Sequence, residues 1–149
     1  MTLETHPRVL LAPFLHDMQA AYSAASVVVA RAGAITCSEL AATGSAAILV
    51  PSPNVAEDHQ TANARALSEE GAAVLLPEAD LAGDGACAGT GAGQGGGGGR
   101  LAREVGRLLS DGASRRALAA NAASRGQREG GAAERVAEVV EELMAGKYR

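Results

Sequence analysis

A chain of 149 residues is long enough for one domain with a core of its own. A net charge of −4 offers no basic surplus for nucleic-acid binding, and with aromatics at 2% the core must be built from small aliphatic side chains. The longest apolar runs fall far short of the roughly 20 residues a membrane helix takes, and the two cysteines, Cys37 and Cys87, give neither metal spacing nor a disulfide framework.

The N-terminal stretch "MTLETHPRVLL" lacks the charged and apolar regions of a signal peptide and the Arg/Ser bias of a transit peptide. With unpaired cysteines this leaves a reducing compartment as the default. "RVLLAPFL" (8–15) reads as a buried strand, a short apolar run rich in Val and Leu. "HDMQAAYSAA" reads as a short helix with Asp17 as its N-cap. "SVVVA" (26–30) is a second strand, and "ITCSELAATG" a helix stopped by Gly44. "SAAILVP" (45–51) is a third strand ended by Pro51. "DHQTANARALSEEG" is a helix capped by Asp58 and closed by Gly71, and "AAVLLP" (72–77) is a fourth strand. Continuous apolar strands alternating with helices over short connections predict a parallel sheet covered on both faces.

Residues 82–99 break the pattern: the segment holds 10 of the chain's 19 glycines and reads as a flexible insertion. Its formal GxGxxG at Gly91, Gly93 and Gly96 is rejected as a dinucleotide site, because no strand leads into it and the spacing arises by chance in a glycine tract. Two or three amphipathic helices follow. The last carries Val136, Val139, Val140 and Leu143 at helical spacing, a stripe read as a docking face.

Two polar clusters follow strands and open helices, where a parallel sheet takes its ligands. In "RAGAITCSE", Gly33 suits a tight turn and close approach of a ligand, and the helix start offers free N–H groups and a positive dipole end to a phosphate. Thr36 and Glu39 stand at capping-box spacing; Glu39 can also accept hydrogen bonds from a ribose diol. Spacing alone favours the capping box. In "EDHQTANA", His59, Gln60 and Asn63 suit sugar hydroxyls, but without context they read as a solvated helix start. No Ser/His/Asp set, Cys/His pair or metal cluster stands out.

The run "APFLHDMQAAYSAASVVVARAGAITCSELAATGSAAILVPSPNVAEDHQTANARAL" resembles the C-terminal half of the MurG family of glycosyltransferases. It carries that family's "PF-hydrophobic-x-x-M", then "R-[AS]-G-A-x-T-x-x-E", then "VP" and a loop ending in "[HQ]-Q-x-x-N-A", in order and at the right spacing. The likeness is close over residues 8–81 and loose over 100–149. It implies an α/β fold, a Rossmann-like parallel sheet forming the C-terminal half of a GT-B glycosyltransferase, here N-terminally truncated. Residues 1–81 would be a partial UDP-sugar-binding domain, 82–99 an insertion, and 100–149 the C-terminal helices of the same domain.

The resemblance implies transfer of N-acetylglucosamine from UDP-N-acetylglucosamine to a lipid-linked acceptor, lipid I to lipid II of peptidoglycan, with no metal or other cofactor. Carried over, Leu15 would lie against uracil, and Ile35 and Thr36 near the diphosphate. Glu39 would take the ribose hydroxyls, and His59 and Gln60, with Asn63 beside them, the sugar. Arg31, Gly33 and Ala34 would shape the turn. No catalytic residue is carried over.

The family's acceptor-binding half, its "GGS" phosphate loop and its first donor-half strands have no counterpart here, and the family has no glycine tract like 82–99. The resemblance therefore implies a donor-site fragment, inactive alone, with "RVLLAPFL" either paired to "SVVVA" or left as an open apolar edge. The location implied is cytoplasmic and peripheral to the inner membrane through the acceptor half, or the plastid stroma if the alanine- and glycine-rich composition marks an alga. A galactolipid-synthase-like transferase has "PGQE" where this chain has "PNVAEDHQ". A non-catalytic UDP-sugar-binding subunit that needs a separate acceptor-domain chain is the alternative of another class.

Overall fold

The computed structural model describes residues 6–53, 58–81 and 99–144. In chain order these form α1 (Met18–Ala24), β1 (Val28–Ala30), α2 (Ala34–Thr43), β2 (Ala47–Leu49), α3 (His59–Glu69), β3 (Ala73–Leu75), a short 3-10 turn (Glu78–Asp80), α4 (Arg100–Ser110), α5 (Gly112–Glu129) and α6 (Ala132–Met144). The expected α/β architecture is present: the strands make a three-stranded sheet in the order β1-β2-β3, parallel throughout, with Val28 opposite Ala47 and Ala47 opposite Ala73.

The central strand shows why the sheet is covered twice. Successive side chains of a strand point to opposite faces, and all of Ala47, Ile48 and Leu49 are buried. Ala47 and Leu49 join a core with Tyr22, Leu40, Leu67 and Ala122, from α1, α2, α3 and α5. Ile48 and Val50 join the opposite core with Leu76 and Leu108, flanked by Leu101 and Val105 of α4. The many alanines let helix and sheet backbones approach closely. At the tightest point, Gly126 of α5 lies against the backbone of Ala41 and Ala42 in α2.

Local signals hold at several boundaries. The Asp17 carboxylate accepts from the Ala20 N–H at 2.8 Å, capping α1. Gly44 adopts φ 60°, so the Gly44 and Ser45 N–H groups turn back to the Ala41 and Leu40 carbonyls and end α2 in a Schellman pattern. Gly71, at φ 65°, turns the chain from α3 into β3.

Four expectations are corrected. Residues 8–15 form no strand: Leu10 is 89% and Phe14 70% exposed. A strand is stabilised by ladder bonds to a neighbour, and the segment pairs with none of the described strands, so its apolar character does not make it one. Asp58 does not cap α3 with its side chain but stands in the left-handed region at φ 55°. The capping box of Thr36 and Glu39 does not form, because α2 begins three residues earlier than that reading requires, with Gly33 at the cap. The stripe on α6 is not docked on the described residues: Val136, Val139, Val140 and Leu143 are 47–64% exposed. Both faces of the sheet are already covered by α2, α3 and α5 and by α4. The glycine tract, save Gly99, lies outside the described residues.

Candidate functional site

Because the strands are parallel, the segments that follow β1 and β2 leave from the same edge of the sheet, and that edge carries both polar clusters. Three side chains tie it together. Arg31, just past β1, donates through Nη1 to the Val50 and Pro51 carbonyls at 3.3 Å and pairs with Glu78 at 2.5 Å. It therefore joins the exits of β1 and β2 to the segment after β3. Asn63 of α3 donates from Nδ2 to the Ala32 carbonyl at 3.1 Å, fixing α3 against the turn before α2. Gln60 accepts from the Ser52 N–H at 2.9 Å through Oε1. Arg31 and Asn63 thus act as braces, while Gln60, its oxygen already accepting from Ser52, keeps its amide nitrogen to offer a ligand.

The start of α2 is bare. Gly33 makes no side-chain cap, and the first intrahelical bond runs from the Cys37 N–H to the Gly33 carbonyl at 2.9 Å. The N–H groups of Ala34, Ile35 and Thr36 precede that bond and have no partner within the helix. Ala34 and Ile35 are exposed, Ile35 to 76%. Gly33 itself has φ −64° and ψ 149°, a conformation open to any residue, so the turn does not require glycine as the sequence had suggested. A Cβ on Gly33 would meet only Thr36 Oγ1, at 3.9 Å. What the glycine does is leave open the space before the helix start, onto which the first N–H groups and the positive end of the dipole face.

One turn further, Glu39 faces α1. Its Oε2 accepts from the Tyr22 hydroxyl at 3.2 Å. The pair borders a cleft of about 330 Å³ lined by Gln19, Tyr22, Glu39, Ala42 and Thr43. Burial first, then the charge of Glu39 and the hydrogen bond to it, push the Tyr22 phenol above its ordinary value, so it remains a donor through the neutral range. Tyr22 is the participant that sequence reading missed. Its signal was there: a tyrosine on the buried side of a helix needs a partner for its hydroxyl.

A second cleft, of about 140 Å³, lies between α2, α3 and α5. Cys37 lines it with Ser38, Asn63, Arg125 and Glu129. Burial raises the Cys37 thiol, the nearby Arg125 offsetting part of that. Arg125 is committed to Glu70 and Glu129, which makes this an ion-paired seam between helices.

The sheet edge thus gathers Arg31, Gly33, Ala34, Ile35, Thr36, His59, Gln60 and Asn63, with Glu39 one helical turn away. Leu15 is exposed in the segment before α1 and belongs to neither core. Among the described residues no group of three or more His, Cys, Asp or Glu could hold a metal, and no helix is long and apolar enough to cross a membrane.

Comparison with known proteins bears on this geometry. The model of the glycosyltransferase family 28 C-terminal domain matches residues 2–85. A UDP-N-acetylglucosamine–N-acetylmuramyl-(pentapeptide) pyrophosphoryl-undecaprenol N-acetylglucosamine transferase of Salinibacter ruber is 58% identical over 79 residues, 53% of this chain and 21% of that protein. The transferase of the same name from Aromatoleum aromaticum is 42% identical over 139 residues, 93% of this chain and 34% of its own length. The crystal structure of Acinetobacter baumannii MurG superposes with a TM-score of 0.63 at 28% identity, covering 90% of this chain and 33% of that one. The chain therefore spans only about a fifth to a third of the length of the curated relatives it matches.

Proposed function

The chain belongs to the family of the glycosyltransferase family 28 C-terminal domain, and from that membership we propose that it holds the nucleotide sugar of an N-acetylglucosaminyltransferase. The donor is UDP-N-acetylglucosamine, as the names of its relatives state for them. The acceptor is a lipid-linked sugar, supplied to the donor by further polypeptide of the kind those longer relatives contain. The whole enzyme works on the cytoplasmic side of a membrane to which it is peripheral.

The observation that carries the reading is the bare N-terminus of α2 at the carboxyl edge of the sheet, with a carboxylate one turn behind it. The diphosphate is bound by the Ala34, Ile35 and Thr36 N–H groups, in the space that Gly33 leaves open. Hydrogen bonds to a charged partner contribute about 1.5–3 kcal/mol each, and the helix dipole adds about 0.3–1 kcal/mol. Glu39 takes the ribose diol, Leu15 lies against uracil, and His59 and the Gln60 amide nitrogen meet the sugar. Arg31 and Asn63 keep the two loops in register.

The chemistry follows from where charge develops. The acceptor hydroxyl attacks the anomeric carbon and gives its proton to a base of the acceptor-side polypeptide, the bond to the diphosphate breaks, and the electron pair leaves with UDP. Donors already aimed at the diphosphate oxygens stabilise that charge without reorganising. This chain's part is to bind and orient the donor and to stabilise the leaving group.

The test is calorimetric titration of the chain with UDP-N-acetylglucosamine, UDP and ADP. The two uridine nucleotides should bind, and ADP at least about tenfold more weakly, a difference of about 1.4 kcal/mol. Equal affinity for ADP, or no heat from any of the three, overturns the proposal.

A further inference from the structure

Tyr22 is 8% exposed, yet its hydroxyl is not spent on the nearest backbone; it crosses from α1 to the Glu39 carboxylate on α2. That carboxylate is half-buried at the wall of the 330 Å³ cleft. A carboxylate has two oxygens and is acceptor-only when ionised. Oε2 is taken by the phenol, and among the described residues Oε1 accepts from nothing. A glutamate on a helix surface otherwise samples several rotamers, and a ligand that needs one of them must select it. A phenol carried by a buried ring is a rigid anchor, and the ring is held in the core with Leu40 and Ala47.

We propose that Tyr22 is a positioning residue of the donor site: its hydroxyl fixes the Glu39 carboxylate so that the remaining oxygen takes the ribose diol. This rests on the nucleotide-binding reading above. It adds a specificity device to it, since a pre-set carboxylate favours nucleotides with a diol over those without. The raised phenol supports the same role, because its hydroxyl stays protonated, and so a donor, through the neutral range.

The experiment titrates wild type, Tyr22→Phe, Glu39→Ala and the double variant with UDP and with 2′,3′-dideoxy-UDP, which lacks the diol. Phenylalanine keeps the buried ring, and thermal melts check that each variant is folded. Wild type should prefer UDP by about tenfold or more. Tyr22→Phe should lose several-fold in UDP affinity and none for the dideoxy nucleotide, so the preference narrows. In the Glu39→Ala background the same substitution should change neither. A Tyr22→Phe variant that keeps the wild-type preference overturns the inference and leaves the nucleotide site standing. So does equal loss for both nucleotides, which would mark a purely structural tyrosine. A wild type that binds neither nucleotide overturns the nucleotide reading and this inference with it.

Discussion

Gly126 of α5 lies so close to Ala41 of α2 that a Cβ placed on it would stand 2.4 Å from the Ala41 carbonyl oxygen and 2.6 Å from its carbon. The obstacle is helix backbone, which cannot swing aside as a flexible side chain can. Gly126→Ala should therefore push α5 off α2 and cost about 1–3 kcal/mol, the usual range for overpacking. Gly106 of α4 is the control, since a Cβ there meets nothing within 4 Å. Gly106→Ala should raise stability by about 0.4–1 kcal/mol. Urea melts of the two variants check both signs.

Gly33 offers the opposite separation, of binding from folding. Its backbone is in a region alanine adopts freely, and the nearest atom to a new Cβ would be Thr36 Oγ1 at 3.9 Å. Gly33→Ala should leave the melting temperature unchanged or higher. It should still weaken UDP, because the methyl group occupies the approach to the α2 N–H groups. Paired thermal melts and titrations decide it: unchanged UDP affinity would remove the diphosphate from the α2 N-terminus.

Glu39 makes its contact with Tyr22 through an acceptor oxygen that glutamine also has. Glu39→Gln should keep stability and lose about 1.5–3 kcal/mol of UDP binding, the range for hydrogen bonds to a charged group. If the glutamine variant binds UDP as well as wild type does, the ribose assignment is wrong.

Asp111 gives a pH prediction. Its carboxylate accepts from the Ser114 hydroxyl and from the Ser114 and Ala113 N–H groups at the start of α5, and these bonds hold it below the ordinary 3.8. The folded-state value is depressed, so the stabilisation is complete above the unfolded value and is lost as pH falls through the folded one. In Asp111→Asn the cap oxygen remains but no longer titrates. Denaturant midpoints measured from about pH 5 to about pH 2 should therefore converge for the two proteins at the acid end. A gap that stays constant across this range would show that the charge contributes nothing.

What was legible in the sequence was what neighbours along the chain decide. Gly44 ends α2 and Asp17 caps α1 through bonds spanning a few residues. The burial of β2 on both faces follows from its unbroken apolar run. Residues 8–15 carry the same kind of run, but whether they form a strand depends on a partner elsewhere, and no local pattern encodes that. The start of α2 misled for a related reason. Thr36 and Glu39 match a capping box, yet the helix begins at Ala34 because β1 stops at Ala30 and the turn is braced by Arg31 to Val50 and by Asn63 to Ala32. Those contacts are 19 and 31 residues long, beyond any spacing rule. The motif resemblance picked out Glu39 and Gln60 as polar groups of one edge; it could not show that Asn63 is turned inward or that Tyr22 holds Glu39.

The central claim is that the carboxyl edge of the sheet, around the start of α2, holds a uridine diphosphate. Amide chemical-shift mapping of the ¹⁵N-labelled chain during UDP titration tests it most directly. Saturable shifts should concentrate on residues 33–39 and 59–63, where the free N–H groups of α2 and the start of α3 meet. Shifts confined to the α2–α5 seam or to the exposed face of α6, with residues 33–39 silent, would contradict it.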